Sequence, residues 1–123
     1  MTVDYEAIDP GIRAVVHFLN TVCALNTTDS GDGVSKLVGD GNLPFPHVFA
    51  VVQNPDELVK KCQKTAVLLW EQGVKIVPTP EHMVTLDPGS AVVECSFNAA
   101  DGIGIVQVLG LDDAGLALAR GVR

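Results

Sequence analysis

The sequence predicts a single α+β domain over residues 1–123, with a mainly antiparallel sheet and two principal helices packed on one face. Two segments begin with a capping residue followed by proline, at Asp9-Pro10 and Asn54-Pro55, and continue with apolar residues at helical spacing. Short valine-rich runs between Gly- and Asp-rich connections indicate strands. The order helix, strand, strand, helix, strand, strand, strand, helix then favours a sandwich related to ferredoxin-like arrangements.

The first helix is expected from Asp9 to about Cys23. Asp9 is the predicted N-cap, and Pro10 occupies the first helical position, where a backbone N–H would have no intrahelical partner. A short extended piece from Ala24 to Thr28 follows the helix, because its two threonines favour the end of a strand.

The middle of the chain combines a buried strand with the second helix. The strand runs from Pro46 to Gln53, and the helix begins after Asn54 and ends near Gln72, where Gly73 follows. The apolar stripe of this helix is expected to contain Leu58, Val59, Cys62, Ala66, Leu69 and Trp70.

The last third of the chain predicts a hairpin and a closing helix. A short strand at Val74–Val77 precedes a proline-rich loop from Pro78 to Gly89. Residues Ser90–Phe97 and Gly102–Gly110 are two antiparallel strands joined by a turn. A short helix then extends through residue 119.

Composition excludes several classes of function. The chain has a formal charge of −7 and only eight lysines and arginines, which are scattered, so we expect no nucleic-acid binding. No run approaches the ~20 apolar residues of a membrane span, and the acidic Met1–Glu6 segment does not resemble a signal peptide. We therefore expect a soluble protein of the cytoplasm, with no contact to membranes.

Three cysteines, Cys23, Cys62 and Cys95, lie among apolar residues without CxxC or metal-ligand spacing. Free cysteine packs like a small hydrophobic residue, so we expect buried structural thiols. Their odd number fits a reducing compartment better than a disulfide framework.

The segment Asn26–Lys36 is the candidate binding loop, because its residues are almost all small, polar and turn-forming. Its hydroxyl and amide groups could satisfy a polar ligand, and the rings of Phe45, His47 and Phe49 could stack on a flat one. Arginine offers a planar fork to phosphate or carboxylate groups. The predicted ligand-binding residues are Thr28, Asp29, Ser30, Gly31, Asp32, Gly33, Lys36, His47, Arg120 and Arg123.

Catalysis and metal binding are alternatives for the same region. Ser30, His47 and Asp29 or Asp32 could form a hydrolase triad, although Ser30 lacks a nucleophile-elbow context. Carboxylates at Asp29, Asp32 and Asp40 with His47 could hold a hard cation, but the spacing does not match a calcium loop. The glycine and lysine spacing is also not that of a P-loop. We expect no cofactor.

At Asp9–Ile12, Thr27–Gly33 and Pro46–Phe49 the sequence resembles small uncharacterised proteins encoded by bacteriophages. The resemblance covers roughly the first half of the chain. In size and acidity the chain is similar to phage sponges that sequester nucleotide-type immune signals without cleaving them. It implies a counter-defence role in the cytoplasm of a host cell, and it carries no residue roles.

Two main expectations follow for function. The first is a non-enzymatic protein that binds a small polar or nucleotide-like ligand, as a homo-oligomer, since exposed strand edges often pair with a second copy. The second is a small metal-dependent hydrolase that uses Asp29, Asp32 and His47. An accessory factor that binds a protein partner is a further alternative.

Overall fold

The computed structural model describes residues 8–32, 45–81 and 86–122. The described helices are α1 (Arg13–Thr21), α2 (Pro55–Glu71) and α3 (Asp113–Val122), and a 3-10 turn at Pro10–Ile12 precedes α1. The strands are β1 (Asn26–Gly31), β2 (His47–Val52), β3 (Lys75–Ile76), β4 (Ser90–Asn98) and β5 (Ile103–Leu109). This order of elements and the α+β class confirm the predictions from the sequence.

The five strands form one sheet in the order β1-β2-β5-β4-β3. All neighbours are antiparallel except β3 and β4, which are parallel. Helix α2 therefore connects two parallel strands, β2 and β3, that lie on either side of the β4–β5 hairpin. The order β2-α2-β3-β4 matches the start of a ferredoxin-like motif, but β5 then returns through a tight turn and not through a second helix.

The helices cover one side of the sheet. Val48, Ala50 and Val52 alternate along β2 and belong to the same buried core as residues of α1, α2 and α3. Side chains between them point to the other side. We call that other side the open face; its central positions on β2 and β5 are Phe49, Val51, Ile105 and Gln107, which are all partly exposed.

Helix α2 packs on the sheet through a narrower stripe than the sequence predicts. Leu58, Thr65 and Leu69 are buried, whereas Val59 and Trp70 are 55% and 67% exposed. At about 100° per residue, the two exposed side chains lie roughly a quarter turn away from the buried stripe. Thr65 was not expected there; its hydroxyl donates to the Lys61 carbonyl, so its burial leaves no polar group unsatisfied.

One close contact fixes α2 against the sheet at Gly104 of β5. A β-carbon at this position would lie 2.8 Å from both methyl groups of Leu58. The missing side chain therefore lets Leu58 reach the backbone of β5. In the register of the hairpin, Gly104 is opposite Phe97 of β4, so this contact also locates α2 over that part of β4.

The cysteines differ in their exposure. Cys23 is buried and Cys62 is partly buried, but Cys95 is exposed. The prediction of three buried thiols is therefore wrong for Cys95. Strand β3 pairs only with Ser90 and Ala91, so the second half of β4 has a neighbouring strand on one side alone.

Helix α1 depends on residues far away in the sequence for its N-terminal hydrogen bonds. Asp113, at the start of α3, accepts the N–H groups of Ala14 and Val15 through its two carboxylate oxygens, each at 3.0 Å. The residue at the N-cap, Ile12, makes no side-chain capping bond. The predicted N-cap Asp9 makes none either, because its carboxylate accepts the backbone N–H of Asp32, the residue after β1.

Among the described residues, no helix is long and apolar enough to cross a bilayer.

Replacement of Asp113 by alanine should lower the free energy of unfolding by about 1–3 kcal/mol, because two N–H groups of α1 lose a charged acceptor. The free energy of unfolding of Asp113→Asn should lie between those of Asp113→Ala and wild type, since an amide oxygen still accepts a hydrogen bond. Urea denaturation measures both. The exposed Asp87 provides the control: Asp87→Ala should stay within about 0.5 kcal/mol of wild type. Equal effects at the two aspartates would contradict the capping role.

Candidate functional site

Four of the predicted ligand-binding residues lie in a strand and not in a loop. Thr28, Asp29, Ser30 and Gly31 belong to β1, which pairs with β2 at the edge of the sheet. Thr28 was expected to end an extended piece, but the prediction of a loop at Asp29–Gly31 is wrong, because strand pairing satisfies the backbone of even a fully polar segment. The register shifts between Thr27 and Asp29, so Thr28 is the extra residue of an irregularity in the ladder.

The register of β1 separates its side chains onto two sides of the sheet. Asp29 is opposite Phe49, so it lies on the open face. Ser30 is opposite Val48, whose side chain is in the core under the helices. Gly31 is opposite His47 and lies on the same side as Asp29. Neighbours in the sequence therefore do not form one cluster.

Gly31 and His47 are in direct contact. A β-carbon on Gly31 would lie 2.6 Å from Cε1 of the imidazole, so the ring occupies the space that any other residue would fill. His47 is only 4% exposed, and its Nδ1 lies 3.1 Å from the Phe45 carbonyl oxygen. A carbonyl oxygen can only accept, so this hydrogen bond requires the hydrogen on Nδ1.

Next to His47, the open face carries a row of aromatic and polar side chains across four strands. The rings of His47 and Phe49 have centroids 5.3 Å apart and are tilted by 45°. In register with Phe49 lie Asp29 on one side and Gln107 on the other, and Glu94 lies beyond Gln107. We call Asp29, Phe49, Gln107 and Glu94 the aromatic row.

The aromatic row has the width of a small planar molecule. Adjacent strands are about 4.8 Å apart, so Asp29 and Gln107 flank Phe49 across roughly 10 Å. Sequence reasoning had included Asp29 and considered Phe49 for stacking, but it missed Gln107 and Glu94. Their signal was a polar residue directly after valine in each of two strands, since Glu94 follows Val93 and Gln107 follows Val106.

Asp32 has a structural role that the sequence did not indicate. It is 6% exposed, and its carboxylate accepts the N–H of Gly11 at 3.3 Å. Its own N–H donates to the carboxylate of Asp9, also at 3.3 Å. This reciprocal pair joins the end of β1 to the turn before α1, so Asp32 faces the helix layer while Asp29 faces the other side of the sheet.

The predicted cationic residues lie away from this row or outside the described residues. Arg120 donates from Nε to Gln72 at 2.8 Å, and its guanidinium lies 5.7 Å from the Phe18 ring centroid. It therefore joins α3 to α2 and α1 on the helix side, where the cation also contacts an aromatic face. Gly33, Lys36 and Arg123 lie outside the described residues.

The hydrolase alternatives gain no support from the described positions. Ser30 and His47 are on opposite sides of the sheet, so they do not form a nucleophile and base pair. Within residues 8–32, 45–81 and 86–122, no group of three His, Cys, Asp or Glu side chains could hold a metal ion. Asp40, named in the metal hypothesis, lies outside that part of the chain.

Three surface depressions are lined by described residues, with volumes of about 420, 350 and 310 Å³. The first lies beside Trp70, the second beside Ala24 and Lys61, and the third beside Pro78. None of these three includes Asp29 or His47. The aromatic row is therefore not part of these three depressions.

Comparison of the chain with protein-family models, curated proteins and solved structures found no match. The resemblance to phage proteins therefore stays an expectation, and the function has to be inferred from the geometry of the described residues.

Asp29 and Asp32, which were both predicted to bind the ligand, should differ in their effects on stability. Asp32→Ala should lower the free energy of unfolding by roughly 1–3 kcal/mol, because a partly buried N–H loses its acceptor. Asp29→Ala, at an exposed position, should change it by less than about 0.5 kcal/mol. Chemical denaturation of the two single variants tests this. An Asp32→Ala protein as stable as wild type would show that the bond from the Gly11 N–H to the Asp32 carboxylate does not hold β1 in place.

Proposed function

We propose that this protein is a non-enzymatic binding protein that holds a flat, polar heterocycle of nucleobase type on the aromatic row. The observation that carries the proposal is the register that places Asp29 and Gln107 on either side of Phe49, with His47 beside it. A planar ligand would stack on the phenyl ring. Its edge groups would then reach side-chain oxygens on both sides.

The chemistry of the row favours a ligand that donates hydrogen bonds. Carboxylate oxygens only accept, and an amide offers one acceptor and two donor hydrogens. An amino-substituted heterocycle would donate to Asp29 and exchange hydrogen bonds with Gln107. Stacking of a base on an aromatic side chain contributes about 1–3 kcal/mol and tolerates different bases, because every base has a flat face.

The negative charge of the aromatic row determines which part of a nucleotide this surface would hold. Strands β1, β2, β4 and β5 contain Asp29 and Glu94 but no lysine or arginine. Two carboxylates repel phosphate, so the row suits the base and not the phosphate of a nucleotide. A phosphate group would need a cation from elsewhere, for which Lys36 and Arg123 are the candidates from the sequence.

A protein that binds such a ligand without a nucleophile or metal would act by sequestration, and the ligand would leave unchanged. This is the mode of action that the phage resemblance implies. In the same proposal, β1, the edge strand of the sheet that the described residues form, is the place where a second copy would pair to form a homo-oligomer.

Native mass spectrometry of gently purified protein, before and after denaturation, tests the proposal. A heterocyclic molecule that is released unchanged from a defined oligomer would support it. A metal ion or a processed ligand would instead favour the hydrolase alternative. A protein partner retained in place of a small molecule would overturn the proposal in favour of an accessory factor.

Removal of the stacking ring should weaken binding without loss of the fold. We expect Phe49→Ala to raise the Kd for free nucleosides by roughly 5- to 150-fold, which corresponds to the stacking free energy. Isothermal titration calorimetry with four nucleosides and their 5′-monophosphates measures this change in Kd. Phe97→Ala is the matched control, because Phe97 is a half-exposed ring on the helix side of the same sheet.

The same titrations distinguish the parts of the ligand. Asp29→Asn should weaken the binding of nucleosides whose base carries an amino group more than the binding of nucleosides whose base does not. Circular dichroism confirms that each variant is folded. If Phe49→Ala and Phe97→Ala have the same affinity as wild type, or if no nucleoside binds to the wild type at all, the aromatic row is not the site.

A further inference from the structure

Cys62 and Cys95 approach each other where α2 crosses β4. Leu58 of α2 contacts the backbone of Gly104, which is opposite Phe97 in the hairpin. Cys62 lies one helical turn further along α2, about 6 Å by the helix rise. The pair of Val106 and Cys95 lies two residues further along the hairpin than the pair of Gly104 and Phe97, which is a similar distance. The packing of α2 therefore places Cys62 over Cys95.

The side chains make this contact. Burial and the neighbouring Cys95 thiol both raise the pKa of the Cys62 thiol, so the two side chains lie side by side. Both cysteines are free; Cys62, on α2, is partly buried, and Cys95, on β4, is exposed. The third cysteine, Cys23, is buried and has Thr65 as its neighbour, so it is not part of the pair.

We propose that Cys62 and Cys95 are a redox-active dithiol that a small disulfide, such as glutathione disulfide, converts into an intramolecular disulfide joining α2 to β4. Nothing in the proposed ligand binding requires this chemistry, so the two proposals stand separately. The two side chains are already neighbours, and the bond requires their sulfur atoms to close to about 2.05 Å.

The reaction balances in two exchange steps. The Cys95 thiolate attacks one sulfur of glutathione disulfide, which forms a mixed disulfide and releases one glutathione thiolate. The Cys62 thiolate then attacks the Cys95 sulfur and releases the second glutathione. Two protein thiols are oxidised and one glutathione disulfide is reduced to two glutathione molecules, which take up the two protons that the cysteines lose.

Exposure assigns the two roles. Cys95 is the residue that a reagent in solution reaches, so it forms the mixed disulfide. Burial and the neighbouring Cys95 thiol raise the pKa of Cys62 to about 11, so Cys62 is protonated at neutral pH and acts as the resolving thiol. Burial likewise raises the pKa of Cys23 to about 11, and that side chain has no solvent access.

The test exposes the reduced full-length protein to a series of glutathione redox ratios. Free thiols are then blocked with iodoacetamide, and peptides are mapped by mass spectrometry without reduction. We expect a peptide pair linked through Cys62 and Cys95, with Cys23 blocked only after unfolding. The oxidised protein should melt several degrees above the reduced one, because the cross-link restricts the unfolded chain.

Three serine variants separate the roles. Cys62→Ser should stop at the mixed disulfide on Cys95, whereas Cys95→Ser should form neither the adduct nor the link. Cys23→Ser should form the Cys62–Cys95 link as wild type does. Circular dichroism checks that each variant is folded.

Two outcomes would overturn the proposal. One is equal modification of all three cysteines in the folded protein. The other is a preference for dimers linked through Cys95 of two molecules while Cys62 stays free, which would mean that the two thiols do not meet within one chain.

Discussion

The architecture depends on how the N-terminal end of α1 obtains its hydrogen bonds. A helix leaves its first N–H groups without intrahelical partners, and α1 has no capping side chain of its own. Asp113 from α3 and Asp32 from the end of β1 supply carboxylates to this region, the first to Ala14 and Val15 and the second to Gly11. Three segments that are distant in the sequence are therefore joined at one end of one helix.

That constraint also determines what the open face presents. Once the Asp9–Asp32 pair fixes the end of β1, strand alternation decides the directions of the side chains from Gly31 back to Asp29, where the irregularity in the ladder begins. Gly31 then meets His47, and Asp29 comes into register with Phe49. A shift of β1 by one residue would place Ser30 beside Phe49 and turn Asp29 toward the core, where an unpaired carboxylate is strongly unfavourable.

The sequence predicted the elements well and their surfaces less well. Both proline-led helices and the β4–β5 hairpin follow from local signals, so they were predictable. The strand character of Asp29–Gly31 was not, because it comes from pairing with β2 and not from the residues themselves. Asp113 could be recognised as a helix start but not as a cap for α1, since that bond spans 98 residues. Likewise, only the register across four strands identifies Gln107 and Glu94 as neighbours of Phe49.

Strand β4 takes part in both proposed activities, yet it keeps them chemically apart. Glu94 and Cys95 are consecutive residues, so one side chain lies on the open face and the other lies under α2. Serine in place of Cys95 therefore leaves the carboxylate, amide and phenyl groups of the aromatic row unchanged. Alanine in place of Phe49 likewise leaves both thiols in contact. A loss of ligand binding and a loss of disulfide formation consequently report on different sides of the same sheet, and either can fail without the other.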